Sequence, residues 1–271
     1  MLRRIFGTFL LLCLIALALR LFGNFGAILL LVCFTMGAQI ELTRILQRLS
    51  GRVMVRQVFL WTLFIPLGSY YLPIAQGGIW LTLLAVLLAV IYGIARWHPE
   101  QLLTCLVPSI FSLLYVPFTL QFGALLLREG GESGLWLLSW VVAVSKLSDI
   151  GGLFIGIGCG RHSFACEYSP KKTWEGFFGG VALAALGGFF LCTLAHIFVN
   201  FCIPVWLSLP LAALLASVGA AGDLLESALK RLAKIKDSGH AIPGIGGCLD
   251  FCDTLTLSMP TAYIIMQIFY F

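Results

Sequence analysis

Acids and bases are scarce in this 271-residue chain, and they are concentrated. Between Gly222 and Asp253 it reads G-D-L-L-E-S-A-L-K-R-L-A-K-I-K-D-S-G-H-A-I-P-G-I-G-G-C-L-D-F-C-D. Asp223, Glu226, Asp237, Asp250 and Asp253 are five of its twelve acids, and Lys230, Arg231, Lys234 and Lys236 are four of its seventeen bases. Asp250 and Asp253, three apart, lie side by side on a helix and repel unless a cation sits between them. Oxygen donors without a His/Cys set favour a hard ion such as Mg²⁺, which uses one or two carboxylates plus substrate phosphates. Nearby bases suit the remaining phosphate oxygens. Such a set describes phosphoryl or nucleotidyl transfer. Cys248 and Cys252 near His240 lack the usual zinc spacing, and the nine cysteines read mostly as small hydrophobes.

The same stretch has a legible form. On a helical wheel Asp223, Glu226, Ser227, Lys230, Arg231 and Lys234 share one arc. Leu224, Leu225, Ala228, Leu229, Leu232, Ala233 and Ile235 fill the other, which predicts an amphipathic helix. A basic interfacial helix accounts for the Lys and Arg residues, but not for carboxylates facing anionic lipid. Pro243-Gly244 and Gly246-Gly247 then predict a tight turn where backbone approaches a ligand closely.

A second polar group precedes it. Ser145, Lys146, Ser148 and Asp149 interrupt an apolar run, followed by Gly151, Gly152, Gly156, Gly158 and Gly160. Gly152 and Gly156 suit close helix packing. Asp149 needs a partner or a wet cavity, and Lys146, three residues before it, can pair with it. Ser169-Pro170-Lys171-Lys172-Thr173-Trp174-Glu175-Gly176 then predicts a helix start, with Ser169 as cap and Pro170 in the first position. Free amides there, with two ammonium groups alongside, suit phosphate. An interfacial loop, with Lys on anionic lipid and Trp at headgroup level, would use the same residue types.

The elements that must position these groups are membrane helices. Apolar residues make up 60% of the chain, charged ones 11%, and the mean hydropathy is +1.01. That composition excludes an ordinary soluble domain. Nine spans are expected, at 5–19, 22–40, 57–74, 78–95, 101–121, 135–158, 177–199, 203–221 and 254–271. The predicted class is an all-α polytopic membrane protein with its active site at cytoplasmic helix ends. Residues 1–130 would form an N-terminal bundle and 131–271 a catalytic region. Arg3, Arg4 and Ala16-Leu17-Ala18 raise a cleavable signal, but a further apolar segment follows Arg20 at once, so a retained span is expected.

With the N-terminus inside, Arg3, Arg4, Arg44, Arg48, Arg52, Arg56, Arg96, Arg161, Lys171, Lys172, Lys230, Arg231, Lys234 and Lys236 are cytoplasmic. Arg20 and Arg128 fall outside, and Lys146 lies within a span. This is the positive-inside pattern. The net charge of +5 therefore reflects topology and attraction to anionic headgroups, not nucleic acid.

With those residues in hand, the C-terminal half resembles the phosphatidate cytidylyltransferases, also called CDP-diacylglycerol synthases. The family signature S-x-x-K-R, K-D, P-x-H-G-G and D-R-x-D is met by Ser227, Lys230-Arg231, Lys236-Asp237, Pro243, Gly246-Gly247, Asp250 and Asp253. The upstream Asp and S-P-x-K-T-W-E-G are met by Asp149 and Ser169 to Gly176. Ile245 stands where the family has His, and Phe251 where it has Arg. His240 could stand in for the His, and Lys172 or Arg231 for the Arg. The N-terminal half matches only as generic spans.

The resemblance implies that CTP and phosphatidate give CDP-diacylglycerol and pyrophosphate at the cytoplasmic face of an inner membrane. Membrane lipids are the surroundings, and a homodimer is an open option. Catalytic roles would fall to Asp149, Asp223, Ser227, Lys230, Asp250 and Asp253. Phosphates would be held by Ser169, Lys171, Lys172, Lys230, Arg231 and Lys236. Mg²⁺ would sit on Asp223, Asp250 and Asp253, with Asp149 completing that site or holding a second cation. A CTP-dependent lipid kinase is one alternative reading. A membrane transporter is another, although its midplane charges and inverted repeats are not evident here.

Overall fold

The computed structural model describes residues 2–72, 77–164, 169, 171–199, 201–239, 241 and 246–270, with side chains from residue 21 onward. Among these the regular structure is helical, as the composition predicts: α1 (Leu2–Ser50), α2 (Val55–Tyr71), α3 (Gly77–Arg96), α4 (Pro99–Tyr115), α5 (Pro117–Glu129), α6 (Gly134–Cys159), α7 (Trp174–Phe198), α8 (Val205–Leu232) and α9 (Cys248–Phe269). One isolated bridge, Ser163 to Thr173, is the extended pairing among the described residues.

Among the described residues, six stretches are long and apolar enough to cross a membrane: Leu21–Ser50, Gly77–Arg96, Pro99–Glu129, Gly131–Cys159, Trp174–Phe198 and Val205–Leu232. The expected spans at 5–19 and 22–40 both fall on α1, whose helical path breaks at Gly23, where φ is 53°. Only glycine takes that conformation cheaply, so α1 holds two runs joined at a kink. The expected spans at 57–74 and 254–271 overlap α2 and α9, of 17 and 22 residues, which are not among those six. Trp80, Leu87, Phe154, Ile157, Phe190 and Trp206 are exposed apolar side chains on these helices, as lipid-facing surfaces require.

Packing divides the chain into two units. The first comprises Met1–Leu125 and Leu232–Cys252. Its core gathers Val58, Ile65, Ala85 and Leu113 from α2, α3 and α4. Buried polar pairs tie its helices: Gln39 of α1 donates to Ser112 of α4, and Ser69 Oγ of α2 donates to Gln121 Oε1 of α5 at 2.8 Å. α1 also grips the start of α9. Glu41, buried, accepts from Ser238 Oγ at 2.8 Å, Cys248 N at 3.0 Å and Leu249 N at 2.8 Å. Its carboxylate thus satisfies amides that a helix start leaves without intrahelical partners. Phe34 stacks on Phe251 with ring centroids 4.8 Å apart. Phe251, in the position of the family Arg, is therefore an apolar anchor onto α1.

The second unit comprises Leu126–Arg231 and Asp253–Phe271. α6 and α7 pack along a seam of small residues, and the close approach expected of Gly152 and Gly156 is found there. A Cβ on Gly176 would meet Gly152 O at 2.8 Å, and one on Gly180 would meet Ser148 O at 2.6 Å. Trp140 Nε1 donates to Gly188 O at 2.8 Å across the same pair of helices. α8 is continuous to Leu232, which bears out the predicted amphipathic extension over Asp223 to Arg231. The prediction ran too far: Lys234 has φ 55°, so the helix ends before it and Ile235 lies beyond.

Candidate active site

Within the second unit, small residues bring α8 against the start of Asp253–Phe271. A Cβ on Gly222 would lie 2.5 Å from Asp253 O, so only glycine permits that approach. The contact sets Asp253 beside Asp223 and, one turn along α8, Glu226. One oxygen of each of these three carboxylates lies within 4.8 Å of the others. Glu226 is fully buried and Asp253 is 7% exposed.

Three acids so close are tolerated because each is held by a base or a donor. Lys172 Nζ lies 2.8 Å from Asp223 Oδ2, while Ser227 Oγ donates to Asp223 Oδ1 at 3.4 Å. Lys230 Nζ, one turn after Glu226, lies 2.6 Å from Glu226 Oε2. Thr254 N donates to Asp253 Oδ1 at 2.6 Å. Thr254 Oγ1 in turn accepts from Lys146 Nζ at 3.1 Å, and Lys146 pairs with Asp149 Oδ2 at 2.8 Å. The pairing expected between Lys146 and Asp149 is present, and it links Asp149 to the carboxylate group through Thr254.

Lys172 is placed by the segment before α7. Lys172 N donates to Ser169 O at 3.0 Å, Phe164 N donates to Lys172 O at 3.3 Å, and the bridge joins Ser163 to Thr173. The helix start differs from expectation. Thr173, not Ser169, is the cap, its Oγ1 accepting from Gly176 N at 3.2 Å. A Ser-Pro pair is a local signal, and here the backbone turns back at Lys172 before the helix begins. Lys171 and Arg231 are exposed in this unit.

Asp250 and Lys236 belong to the first unit. Lys236 is exposed. Asp250 Oδ2 accepts from Gly247 N at 2.7 Å and from Ser238 N at 3.3 Å. Gly246, at φ 128°, has a conformation that a side chain rarely adopts, and a Cβ there would lie 2.5 Å from Asp250 Oδ2. Of the expected turn, Gly246-Gly247 lies within the described residues, and the positive φ at Gly246 is a conformation that glycine takes cheaply. Pro170, His240, Pro243, Gly244 and Ile245 lie outside the described residues, and with them the predicted first helical position and the possible substitute for the family His.

Two members of the arrangement were not among the expected site residues. Glu226 shares the predicted polar arc and stands three residues after Asp223 and four before Lys230, a spacing that could have found it. Lys146 was expected as the partner of Asp149 within a span, though not as a site residue. The donor set fits a hard divalent cation: oxygens only, from three acids, within the reach of one ion.

The model of the "Cytidylyltransferase family" matches residues 2–269. A phosphatidate cytidylyltransferase of Mycobacterium bovis is 34% identical over 170 residues, covering 63% of this chain and 53% of the relative. That of Bacillus subtilis is 36% identical over 143 residues, 53% of this chain and 52% of the relative. That of Thermotoga maritima is 34% identical over 175 residues, 63% and 62% of the two chains. The matched stretch therefore spans about half to three fifths of these relatives.

Proposed function

Because this chain belongs to the cytidylyltransferase family, we propose that it converts CTP and phosphatidate to CDP-diacylglycerol and pyrophosphate in phospholipid biosynthesis. A phosphate oxygen of phosphatidate attacks the α-phosphorus of CTP. The bond from that phosphorus to the β-phosphate oxygen breaks, and pyrophosphate leaves. Phosphatidate is already an anionic oxygen nucleophile, so no covalent enzyme intermediate is needed. Positioning and electrostatics supply most of the acceleration.

The observation that carries this reading is the interleaving of acids and bases in the second unit. Asp223, Glu226 and Asp253 converge within 4.8 Å, with Lys172 and Lys230 on two of them. Asp223 and Asp253 would hold Mg²⁺ with Glu226 beside them, and Asp149 would serve a second cation. The ion would neutralise charge developing on the transferring phosphate. Lys172 and Lys230 would exchange their carboxylate partners for phosphate oxygens as substrate arrives, Lys171, Arg231 and Lys236 would add charge, and Ser227 would orient Asp223. Ser169 is proposed to line the phosphate side through its turn with Lys172.

The test is direct. Purified protein with CTP, phosphatidate and Mg²⁺ should yield the liponucleotide, with label from the α-phosphate retained in lipid and label from the γ-phosphate released in pyrophosphate. Lipid carrying the γ-label would identify a kinase, and solute uptake into sealed vesicles without CTP turnover a transporter. The same reading places the protein in the inner membrane with this site facing the cytoplasm. It includes self-association into a homodimer, which cross-linking in membranes would report.

A further inference from the structure

We propose that the cytoplasmic end of α1 and the segment preceding α9 form a subsite for a phosphate group, with Arg44 and Arg48 supplying the positive charge. It rests on the CTP- and phosphatidate-using reading above, and it adds residues from the N-terminal half, which carries none of the signature motifs.

A cavity of about 500 Å³ lies entirely within the first unit, its lining including Glu41, Arg44, Arg48, Asp237, Ser238 and Gly239. That volume is within the range of small-molecule sites, roughly 300–1,000 Å³. Arg44 and Arg48 are four residues apart on α1, so their side chains rise from one face of the helix. Among the described residues, neither guanidinium has an ion pair or a hydrogen bond. The nearest acid in the sequence, Glu41, does not neutralise them. Its carboxylate is buried and occupied by Ser238 Oγ, Cys248 N and Leu249 N.

The opposite wall is fastened in place. Ser238 is held twice, through Oγ by Glu41 and through its amide by Asp250. Glycine is required next to it, since a Cβ on Gly239 would come within 2.2 Å of Glu41 Oε1. Two guanidinium groups facing a fixed loop offer forked donors that match phosphate oxygens. Asp237 gives the wall an acceptor for a hydroxyl or amine on the same ligand. A topological role alone explains positive charge at this membrane face, but not a cavity beside a loop pinned by a buried acid.

The phosphate could be that of CTP or that of the lipid, and kinetics distinguishes them. Arg44→Gln, Arg48→Gln and the double variant are compared with wild type in nanodiscs. Loss of a charged hydrogen bond is expected to raise KM about tenfold or more for one substrate, with kcat nearly unchanged. A rise for CTP assigns the subsite to the nucleotide, and a rise for phosphatidate assigns it to the lipid. Arg→Lys at both positions should recover part of the loss, and thermal unfolding should not move, because both side chains are exposed.

Calorimetric titration with inorganic pyrophosphate reads the site without turnover, and the double variant should bind it at least about tenfold more weakly. Unchanged KM values with unchanged pyrophosphate binding would overturn the subsite, as would a fall in kcat with both KM values and pyrophosphate binding intact. Should wild type bind pyrophosphate through these arginines yet form no liponucleotide, the subsite stands and the enzymatic reading falls.

Discussion

At the scale of single residues, the decisive quantity is the cost of ionised groups held away from water. Asp253→Asn keeps the shape and removes the charge that would oppose a bound cation. Transfer should fall by at least about 10²-fold in initial rate, with the protein still folded. Near-normal liponucleotide formation would remove Asp253 from the metal set. Lys172→Ala deletes the ammonium 2.8 Å from Asp223, and it should raise KM for CTP more than it lowers kcat. An unchanged CTP dependence would contradict a phosphate role. Glu226→Gln is a different experiment, because Glu226 is fully buried and Lys230 Nζ lies 2.6 Å away. Leaving that ammonium without its counter-charge should cost about 3 kcal/mol or more, read as a lower unfolding midpoint in detergent. Asp149, Asp223 and Asp253 were legible in the sequence because a carboxylate in an apolar chain demands an explanation. Glu41 was not, since its partners Ser238, Cys248 and Leu249 lie some two hundred residues away and no local pattern announces them.

At the scale of elements, glycine placement controls how closely helices approach. The seam between α6 and α7 is set by backbone, not by side chains that can shift. A Cβ on Gly180 would meet Ser148 O at 2.6 Å. Gly180→Ala should therefore destabilise the second unit by about 1–3 kcal/mol, measured by thermal unfolding, because two backbones must separate. Alanine at Gly158, where no atom lies within 4 Å, is the matched control and should be nearly silent. Helix identity was well marked in the sequence, since apolar runs of membrane length have few alternatives. Boundaries were less so. The cap moved from Ser169 to Thr173, and α8 stopped before Lys234, because turn geometry and the left-handed residue depend on neighbours that a linear pattern does not show.

At the scale of the whole molecule, the distribution of charge predicts which face each connection occupies. Lysine and arginine cluster in alternate connections, and the proposed chemistry requires Lys171 and Lys236 to lie on one side, where CTP is found. Both are exposed, as is Glu132. In a background without native cysteines, Lys171→Cys and Lys236→Cys should react with a membrane-impermeant maleimide in inverted vesicles and not in intact cells. Glu132→Cys should show the reverse, because Arg128 beside it is one of the two bases expected outside. The experiment tests the count of crossings as well as the direction. One span more or fewer between Glu132 and Lys171 would put both on the same side, and one more or fewer between Lys171 and Lys236 would separate those two. Labelling of Lys171→Cys and Lys236→Cys from opposite faces would leave the bases of the Lys172 turn and of the Lys236-Asp237 segment unable to serve one water-soluble nucleotide. The proposed transfer would then lose its geometry even with every carboxylate in place.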